Sequence, residues 1–201
     1  MQPATDTRTA ILDAAWELFT ERVPAIPSMS EVAARVGVSR QAVYLHFRNR
    51  ATLLVEMVRR KDAASGLPVK MGAARSAALD EALFLYVKTI YEYYAEVCPV
   101  AVALRAAQDT GEDGSEAWRD RMGALKTGAI ILMQRYDDAG YLRDSWTGET
   151  AGTWVWSRLH FSTWHLLVQE AGWSIRDAVE ETVKALVAHL FKDPVRTRVH
   201  E

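Results

Sequence analysis

The chain has 201 residues, of which 49% are hydrophobic and 25% charged, and its formal net charge is -2. This composition excludes an intrinsically disordered chain and is typical of a globular protein that buries a core. The single cysteine, Cys98, excludes an internal disulfide and favours a reducing compartment, and no apolar run is long enough to predict a membrane span. We therefore expect a cytoplasmic protein with no membrane partner.

The first two predicted helices have well-defined ends in the sequence. Apolar residues recur with helical period over about Thr7–Glu21, and Pro24 and Pro27 end this first helix. Ser28 lies three residues before Glu31, which is the spacing of a capping box that begins a second helix. A short loop that contains both prolines therefore separates the two helices.

A glycine turn separates the second and third predicted helices. Gly37 ends the second helix, Ser39 caps a short third helix that runs to Phe47, and a fourth helix begins near Asn49 or Arg50. A small residue at the helix crossing, Ala33, and valines on the inward faces complete the pattern. These features together predict a helix-turn-helix unit.

Positive charge is concentrated in and around this unit. The segment from Ser28 to Lys61 has seven basic and two acidic residues, a net charge of +5, so the remaining chain carries -7. A basic module on an acidic body is typical of a protein that binds a polyanion through one end.

The outward face of the third helix has side chains suited to DNA. Arginine and glutamine can each form two hydrogen bonds with a base edge, while phenol and imidazole groups suit phosphate oxygens. Two arginines at the start of the fourth helix are expected to hold the DNA backbone, with help from the N-terminal dipole of that helix. The candidate residues are Arg40, Gln41, Ala42, Tyr44, Leu45 and His46 on the third helix, and Arg48 and Arg50 beside the fourth.

The segment SMSEVAARVGVSRQAVYLHFRNRATLL, residues 28–54, carries a family resemblance. It resembles the DNA-binding domain of the TetR family of bacterial transcriptional regulators, most specifically in Val43-Tyr44-x-His46-Phe47-x-x-Arg50 followed by two leucines. The resemblance implies two kinds of contact with DNA. Phosphate contacts are implied for Ser28, Tyr44, His46 and Arg50, and base contacts for Arg40, Gln41 and Ala42.

The rest of the chain also predicts helices and no strand. Two glycines and a proline in Ser65–Gly72 mark a boundary between a helix-turn-helix domain, residues 1–62, and a second helical domain, residues 73–201. The fold class is therefore all-α with about nine helices. Beyond the boundary we predict a helix that Pro99 breaks or kinks, a short helix through Ala107, a helix over about Ser115–Ala139, and two antiparallel helices over about Glu149–Ala171 and Ile175–Phe191.

The TetR resemblance implies that the second domain binds a small-molecule effector and forms a homodimer through its last two helices. The many aromatic residues here suit an apolar pocket with a few polar groups, although core packing or dimer contact explains any single one at least as well. The candidate pocket residues are Tyr91, Tyr94, Trp118, Trp156 and His160.

These observations predict a sequence-specific DNA-binding transcriptional regulator, a repressor that a small apolar or aromatic effector releases from its operator. A DNA-binding protein without an effector and a transcriptional activator are the alternatives. We do not expect an enzyme, because no nucleophile–base or carboxylate pair occurs at useful spacing. We expect no cofactor and no metal site, since His160 and His165, five residues apart, point away from each other on a helix.

Overall fold

The computed structural model describes residues 6–111 and 113–192, with Thr110 described by its backbone alone. These described residues form ten α-helices and one π-helical turn, and no strand, which confirms the all-α prediction. None of the described helices is both long and apolar enough to span a membrane. The helices are α1 (Thr7–Arg22), α2 (Met29–Val36), α3 (Arg40–His46), α4 (Arg50–Ala64), α5 (Leu67–Ser76), α6 (Leu79–Thr110), α7 (Gly114–Asp138), α8 (Gly148–Arg158), α9 (Phe161–Trp164) with the π-helical turn His165–Glu170, and α10 (Ile175–Leu190).

The described chain forms two compact units. The first contains the residues up to Ser65 together with Val97–Arg121, and the second contains Gly66–Glu96 and the described residues from Met122 onward. The division at Ser65 falls between the predicted domain limits of residues 62 and 73. Val97–Arg121, which the sequence analysis assigned to the second domain, belongs to the first unit instead, and residues 193–201 lie outside the described part.

The core of the first unit joins the apolar stripes of α1, α2, α3 and α4. Each helix presents residues at helical spacing to the same interior, which is the arrangement that the sequence periodicity predicts. Fully buried side chains contribute most of the apolar area removed from water. The residues of this interior with less than 3% exposure include Ile11, Leu18, Phe19, Val32, Val43, Phe47, Leu53, Leu54 and Met57.

The predicted boundary segment is helical over most of its length. Gly66 adopts a positive φ of 70°, which glycine reaches without steric cost, and α5 begins directly after it. Pro68 lies in the first turn of α5, where its missing N–H has no intrahelical acceptor to lose. Glycine and proline therefore mark the beginning of a helix here.

The predicted break at Pro99 is wrong, because α6 continues through this residue as one helix of 32 residues. An internal proline removes one backbone hydrogen bond and costs about 3 kcal/mol. Val97, Val100 and Leu104 are buried on either side of it. Their burial offsets that cost, so the predicted short helix is the last part of α6.

The predicted helix Glu149–Ala171 is interrupted after Arg158. Leu159 ends α8, and His160 has an extended backbone with φ -60° and ψ 140°. The Nδ1 atom of His160 accepts a hydrogen bond from the backbone N of Ser162 at 3.3 Å and so caps α9. His160 and His165 are therefore not on one continuous helix, contrary to the prediction.

The close contact of α7 with α8 depends on two glycines of α8. A Cβ atom at Gly152 would lie 2.7 Å from the backbone N of Ile130 in α7, and one at Gly148 would lie 2.7 Å from the Cα of Gln134. Real Cβ atoms do not approach other atoms this closely. The backbones of the two helices thus approach each other closely at these two glycines in the second unit.

Candidate nucleic-acid interface

The turn between α2 and α3 is held by backbone hydrogen bonds at one glycine. Gly37 has a φ of 80°, and its N–H and that of Val38 both donate to the carbonyl of Ala33 at 3.0 Å. The hydroxyl of Ser39 accepts from the backbone N of Ala42 at 3.1 Å and caps α3. These contacts fix the direction in which α3 leaves the turn.

The inner side of α3 is anchored by two buried residues. Val43 and Phe47 have no exposed surface, and the guanidinium of Arg8 lies 5.0 Å from the ring centroid of Phe47. The helix ends at His46, with Phe47 as its C-cap residue. Phe47 thus anchors the end of α3, and His46, which was predicted on the outward face, is exposed.

The outer side of α3, which we call the α3 face, is exposed to solvent. Leu45 is 82% exposed and Tyr44 is 41% exposed. Ala42 is half-buried, and the other members of the face are exposed. The α3 face consists of Arg40, Gln41, Ala42, Tyr44, Leu45 and His46.

Ion pairs neutralise much of the positive charge around this unit, but not the part on α3. The guanidinium of Arg35 contacts the carboxylate of Glu21 at 2.6 Å and 3.0 Å, and Arg50, Arg59 and Arg60 each pair with an aspartate. Within the described residues, Arg40 and Arg48 form no ion pair. Lys61, in the last turn of α4, also forms no ion pair among the described residues, so the uncompensated positive charge lies on the α3 face, just beyond its end and at Lys61.

Ser28 serves the fold directly. Its hydroxyl accepts from the backbone N of Glu31 at 3.3 Å and donates to Oε2 of Glu31 at 2.7 Å, and its backbone N donates to the same carboxylate oxygen at 2.8 Å. These hydrogen bonds, the backbone one first, lower the pKa of Glu31. Contact of Ser28 with phosphate stays a prediction.

The start of α4 combines a cap with two arginines. The side chain of Asn49 accepts from the backbone N of Thr52 at 2.8 Å, so α4 begins at Arg50. Arg48 is exposed directly before the cap. The Nε of Arg50 donates to Oδ2 of Asp113 at 2.9 Å, within the first unit. No sequence pattern indicated this aspartate as a partner of Arg50.

The five residues predicted to bind an effector lie in two different units of the structure. Trp118 is buried in the first unit, whereas the other four lie in the second. Tyr94 donates to the carbonyl of Leu159 at 3.0 Å, and Trp156 meets His160 edge-on with ring centroids 6.5 Å apart. Tyr94, Trp156 and His160 therefore gather around the junction of α8 and α9.

Tyr91 has a different partner in the second unit. Its hydroxyl is 3.0 Å from Oγ1 of Thr182 in α10, and burial raises the pKa of Tyr91 while this hydrogen bond lowers it. Tyr91 is fully buried and is hydrogen-bonded to a side chain of α10, so these contacts establish that it packs against α10. Its role in a pocket stays a prediction.

Polar atoms that the sequence analysis missed lie at the same junction of α8 and α9. Within the described residues, three buried side-chain atoms have no hydrogen-bond partner: Nε1 of Trp156, Oγ of Ser162 and Nε1 of Trp164. An indole N–H can only donate, so both tryptophans require an acceptor. The Nζ of Lys126 lies 5.7 Å from the ring centroid of Trp156 and adds a positive charge.

A cavity of about 330 Å³ lies among α8, α9 and α10 of the second unit. Its wall combines an indole, a guanidinium and an imidazole, with the guanidinium of Arg158 4.3 Å from the ring centroid of Trp154. The sequence analysis assigned to dimer contact the segment that contains α8, α9 and the π-helical turn, together with α10. The lining residues are Trp154, Arg158, Thr163, Thr182, Ala185, Leu186 and His189.

The fold and the α3 face define the class of this protein: an all-helical protein whose N-terminal unit presents a helix-turn-helix with a basic and aromatic outer side. Residues 11–57 match the family model for bacterial regulatory proteins of the TetR family. The helix-turn-helix segment of this chain is thus similar to that of bacterial regulatory proteins of the TetR family.

Curated relatives match part of the chain. The HTH-type transcriptional regulator AcrR of Shigella flexneri is 39% identical over 56 residues, which are 28% of this chain and 26% of that protein. An uncharacterized HTH-type transcriptional regulator of Mycobacterium tuberculosis is 35% identical over 79 residues, 39% of each chain. The matched stretches thus span well under half the length of these relatives.

Solved structures are similar over nearly the whole chain. The transcriptional regulator FadR from Bacillus subtilis in complex with stearoyl-CoA has a TM-score of 0.69 at 15% identity and covers 89% of this chain and 97% of its own. The SmeT–triclosan complex has a TM-score of 0.65 at 20% identity, and the match covers 94% of this chain and 93% of SmeT. At this level of identity the likeness establishes the fold.

Proposed function

We propose that this protein is a sequence-specific DNA-binding transcriptional repressor that binds its operator through the α3 face. The observation that carries the proposal is this exposed face. It holds an arginine that forms no ion pair among the described residues, and a glutamine beside a tyrosine and a histidine. Arg40 and Gln41 suit base edges in the major groove, and Tyr44 and His46 suit the flanking phosphates. Arg48 and Arg50 would contact the backbone at the start of α4.

The protein would bind DNA as a homodimer formed through α8 and α10. The cavity of about 330 Å³ between these helices supports this proposal, because it leaves space for side chains of a second copy. Two α3 helices fit successive major grooves when they lie about 34 to 36 Å apart, or a multiple of that distance. An operator with two related half-sites follows from this geometry.

A small-molecule effector would bind in the second unit at the junction of α8 and α9. Tyr94, Trp156 and His160 supply aromatic surface, and the unpaired indole N–H groups of Trp156 and Trp164 supply donors. A buried donor without a partner costs about 1 to 3 kcal/mol, and an effector oxygen would satisfy it. We therefore propose an apolar or aromatic effector that carries a hydrogen-bond acceptor. FadR in complex with stearoyl-CoA and SmeT in complex with triclosan support an effector of this general kind.

Effector binding would release the operator by changing the distance between the two α3 helices of the dimer. The effector needs only to bind one arrangement of the dimer more tightly than the other. A coupling free energy of about 1 to 3 kcal/mol changes DNA affinity by about 5- to 150-fold. This range is sufficient for a regulatory response.

Selection of bound duplexes from a random DNA library tests the proposed function. The parent should enrich a motif with two half-sites, whereas a variant with Arg40→Ala and Gln41→Ala should enrich none. Absence of any enriched motif in the parent at low ionic strength would contradict the proposal. The genes that adjoin matching genomic sites then name the regulated process.

A panel of aromatic compounds, with and without an acceptor oxygen, tests the effector. Compounds that raise the melting temperature of the parent should also weaken binding to the selected duplex. Trp164→Phe keeps an aromatic ring and removes the donor, so it should reduce the melting shift caused by acceptor-bearing compounds. A DNA-binding protein without an effector would show no compound-dependent change in DNA affinity.

A further inference from the structure

Arg50 has an internal partner at the position where the proposed function requires a DNA phosphate. Its Nε donates to Oδ2 of Asp113 at 2.9 Å, although 63 residues separate the two in sequence. Arg50 is the first residue of α4, and Asp113 directly precedes α7. A carboxylate and a phosphate engage a guanidinium by the same charge-assisted hydrogen bonds. The two anions therefore compete for one cation.

The position of Asp113 is fixed by its neighbour. Gly114 is buried, and a Cβ atom there would lie 2.8 Å from Cδ1 of Ile26 and 2.9 Å from the Cβ of Ala107. Ile26 lies in the loop that leads into the helix-turn-helix, so this contact holds the Asp113 backbone against that loop within the first unit. The aspartate is thus placed beside Arg50 by packing, independently of the ion pair.

The pair is exposed enough to exchange partners. The Arg50 side chain is 27% exposed and that of Asp113 is 51% exposed. Ion pairs at this exposure are weak, because water solvates both groups when they separate. A phosphate of the duplex, where negative charge is dense, can therefore displace the carboxylate.

We propose that Asp113 is an internal competitor of DNA: its carboxylate holds Arg50 in the DNA-free protein and must be displaced when Arg50 contacts phosphate. The inference rests on the proposed function, since it assigns a regulator to one contact of that site. Asp113 lowers the affinity for every DNA sequence alike, because Arg50 contacts the backbone and not a base. Any change that moves the start of α7 also changes how strongly Arg50 is held.

A double-mutant cycle on the full chain tests this inference. The probe is a mixed-sequence DNA duplex with a fluorescent label, and the measured quantity is the dissociation constant at low and moderate salt. Asp113→Asn should tighten binding by about two- to fivefold, the range expected for release of an exposed ion pair. In the Arg50→Gln background the same change should have a much smaller effect.

Asp120→Asn is the matched control. Asp120 pairs with Arg59 through two hydrogen bonds of 2.5 Å and 3.1 Å, also within the first unit, and its change alters the net charge of the protein equally. The inference is overturned if Asp113→Asn tightens binding no more than Asp120→Asn, or tightens it equally with and without Arg50. Circular dichroism melting confirms that each variant is folded. Failure of every variant to bind the duplex overturns the proposed function as well, whereas binding without coupling overturns only the role of Asp113.

Discussion

The guanidinium of Arg40 lies over the ring of Tyr44, 5.4 Å from its centroid, and its Nη2 is 3.3 Å from the tyrosine hydroxyl oxygen. The two residues are one turn apart on α3, and both are exposed. The pairing orients two long side chains before any DNA is bound, which reduces the rotamer entropy lost on binding. The cation that we propose for a base edge and the hydroxyl that we propose for a phosphate thus lie side by side.

Replacement of Tyr44 should weaken binding to all duplexes. Tyr44→Ala removes the hydroxyl that we propose contacts phosphate and the ring that orients Arg40, so we expect an affinity loss of about 10-fold or more. Fluorescence anisotropy with the selected duplex and with a mixed-sequence duplex measures both affinities. Tyr141 has nearly the same exposure, 42%, and lies in the second unit, so Tyr141→Ala is the control and should leave DNA affinity unchanged.

Replacement of Gln41 should change sequence preference and leave binding to mixed-sequence DNA intact. Gln41→Ala removes the two hydrogen bonds that we propose Gln41 forms with one adenine, and such a pair is worth about 1 to 3 kcal/mol of discrimination. Selection from a library of variants of the parent motif should show relaxed preference at one position in each half-site. An unchanged motif would exclude Gln41 from base contact.

Leu45 is the most exposed large apolar side chain among those described on α3, and thymine offers an apolar partner for it. The C5-methyl group of thymine is the apolar feature of the major groove, and Gln41, one turn earlier, suits the adenine of the same or an adjacent pair. Replacing thymine by uracil in the selected duplex removes only this methyl group. We expect a loss of about fourfold for the parent at one position, from about 0.8 kcal/mol per buried methyl group, and no loss for Leu45→Ala. Equal sensitivity of both proteins to uracil would contradict this contact.

The helix-turn-helix could be predicted from the sequence because its determinants are local. Ser28 with Glu31, Gly37 and Ser39 act within four residues of their own positions, and the structure shows each in the expected capping or turn geometry. Periodicity and caps therefore determined this unit without knowledge of distant contacts.

The chain beyond α4 was less predictable, because its features depend on residues far apart in sequence. No local rule shows that burial around Pro99 outweighs a missing hydrogen bond, or that His160 caps a new helix instead of continuing the previous one. No feature of the sequence separated Trp118 from Trp156 as candidate pocket residues, yet the two belong to different units. Asp113 likewise gave no signal, since its partner is 63 residues away.

The crossing of α7 and α8 should tolerate no side chain at Gly152. A Cβ atom there meets the backbone of Ile130 at 2.7 Å, and backbone cannot move aside cheaply. We expect Gly152→Ala to destabilise the protein by about 1 to 3 kcal/mol, the usual cost of overpacking. Gly123 in α7 is the control, because a Cβ atom there meets nothing within 4 Å and alanine is the better helix former. Gly123→Ala should therefore stabilise by about 0.5 to 1 kcal/mol in urea unfolding, and equal effects of the two changes would refute the packing argument.

Tyr136 should make the stability of the protein sensitive to high pH. Its fully buried hydroxyl donates to the carbonyl of Leu79 at 2.6 Å and accepts from the backbone N of Leu83 at 3.1 Å, in the first turns of α6. Burial is the main cause that raises the pKa of Tyr136 from 10.0 to about 12. Between these values the folded protein keeps a proton that the unfolded chain has lost, so the unfolded state binds fewer protons and stability falls as pH rises.

The contribution of Tyr136 to the free energy of unfolding is thus fully present below about pH 10 and is lost between about pH 10 and 12. At pH 11 the loss amounts to about 1.4 kcal/mol. Urea unfolding at pH 8 and pH 11 measures this loss. Tyr136→Phe is less stable than the parent at pH 8, because two hydrogen bonds are gone, but it should lose about 1.4 kcal/mol less on going to pH 11. Tyr44→Phe, at an exposed position of the first unit, should show the same alkaline loss as the parent. If Tyr136→Phe and the parent lose equal stability between pH 8 and pH 11, the pKa of the buried hydroxyl is not raised, and this prediction is wrong.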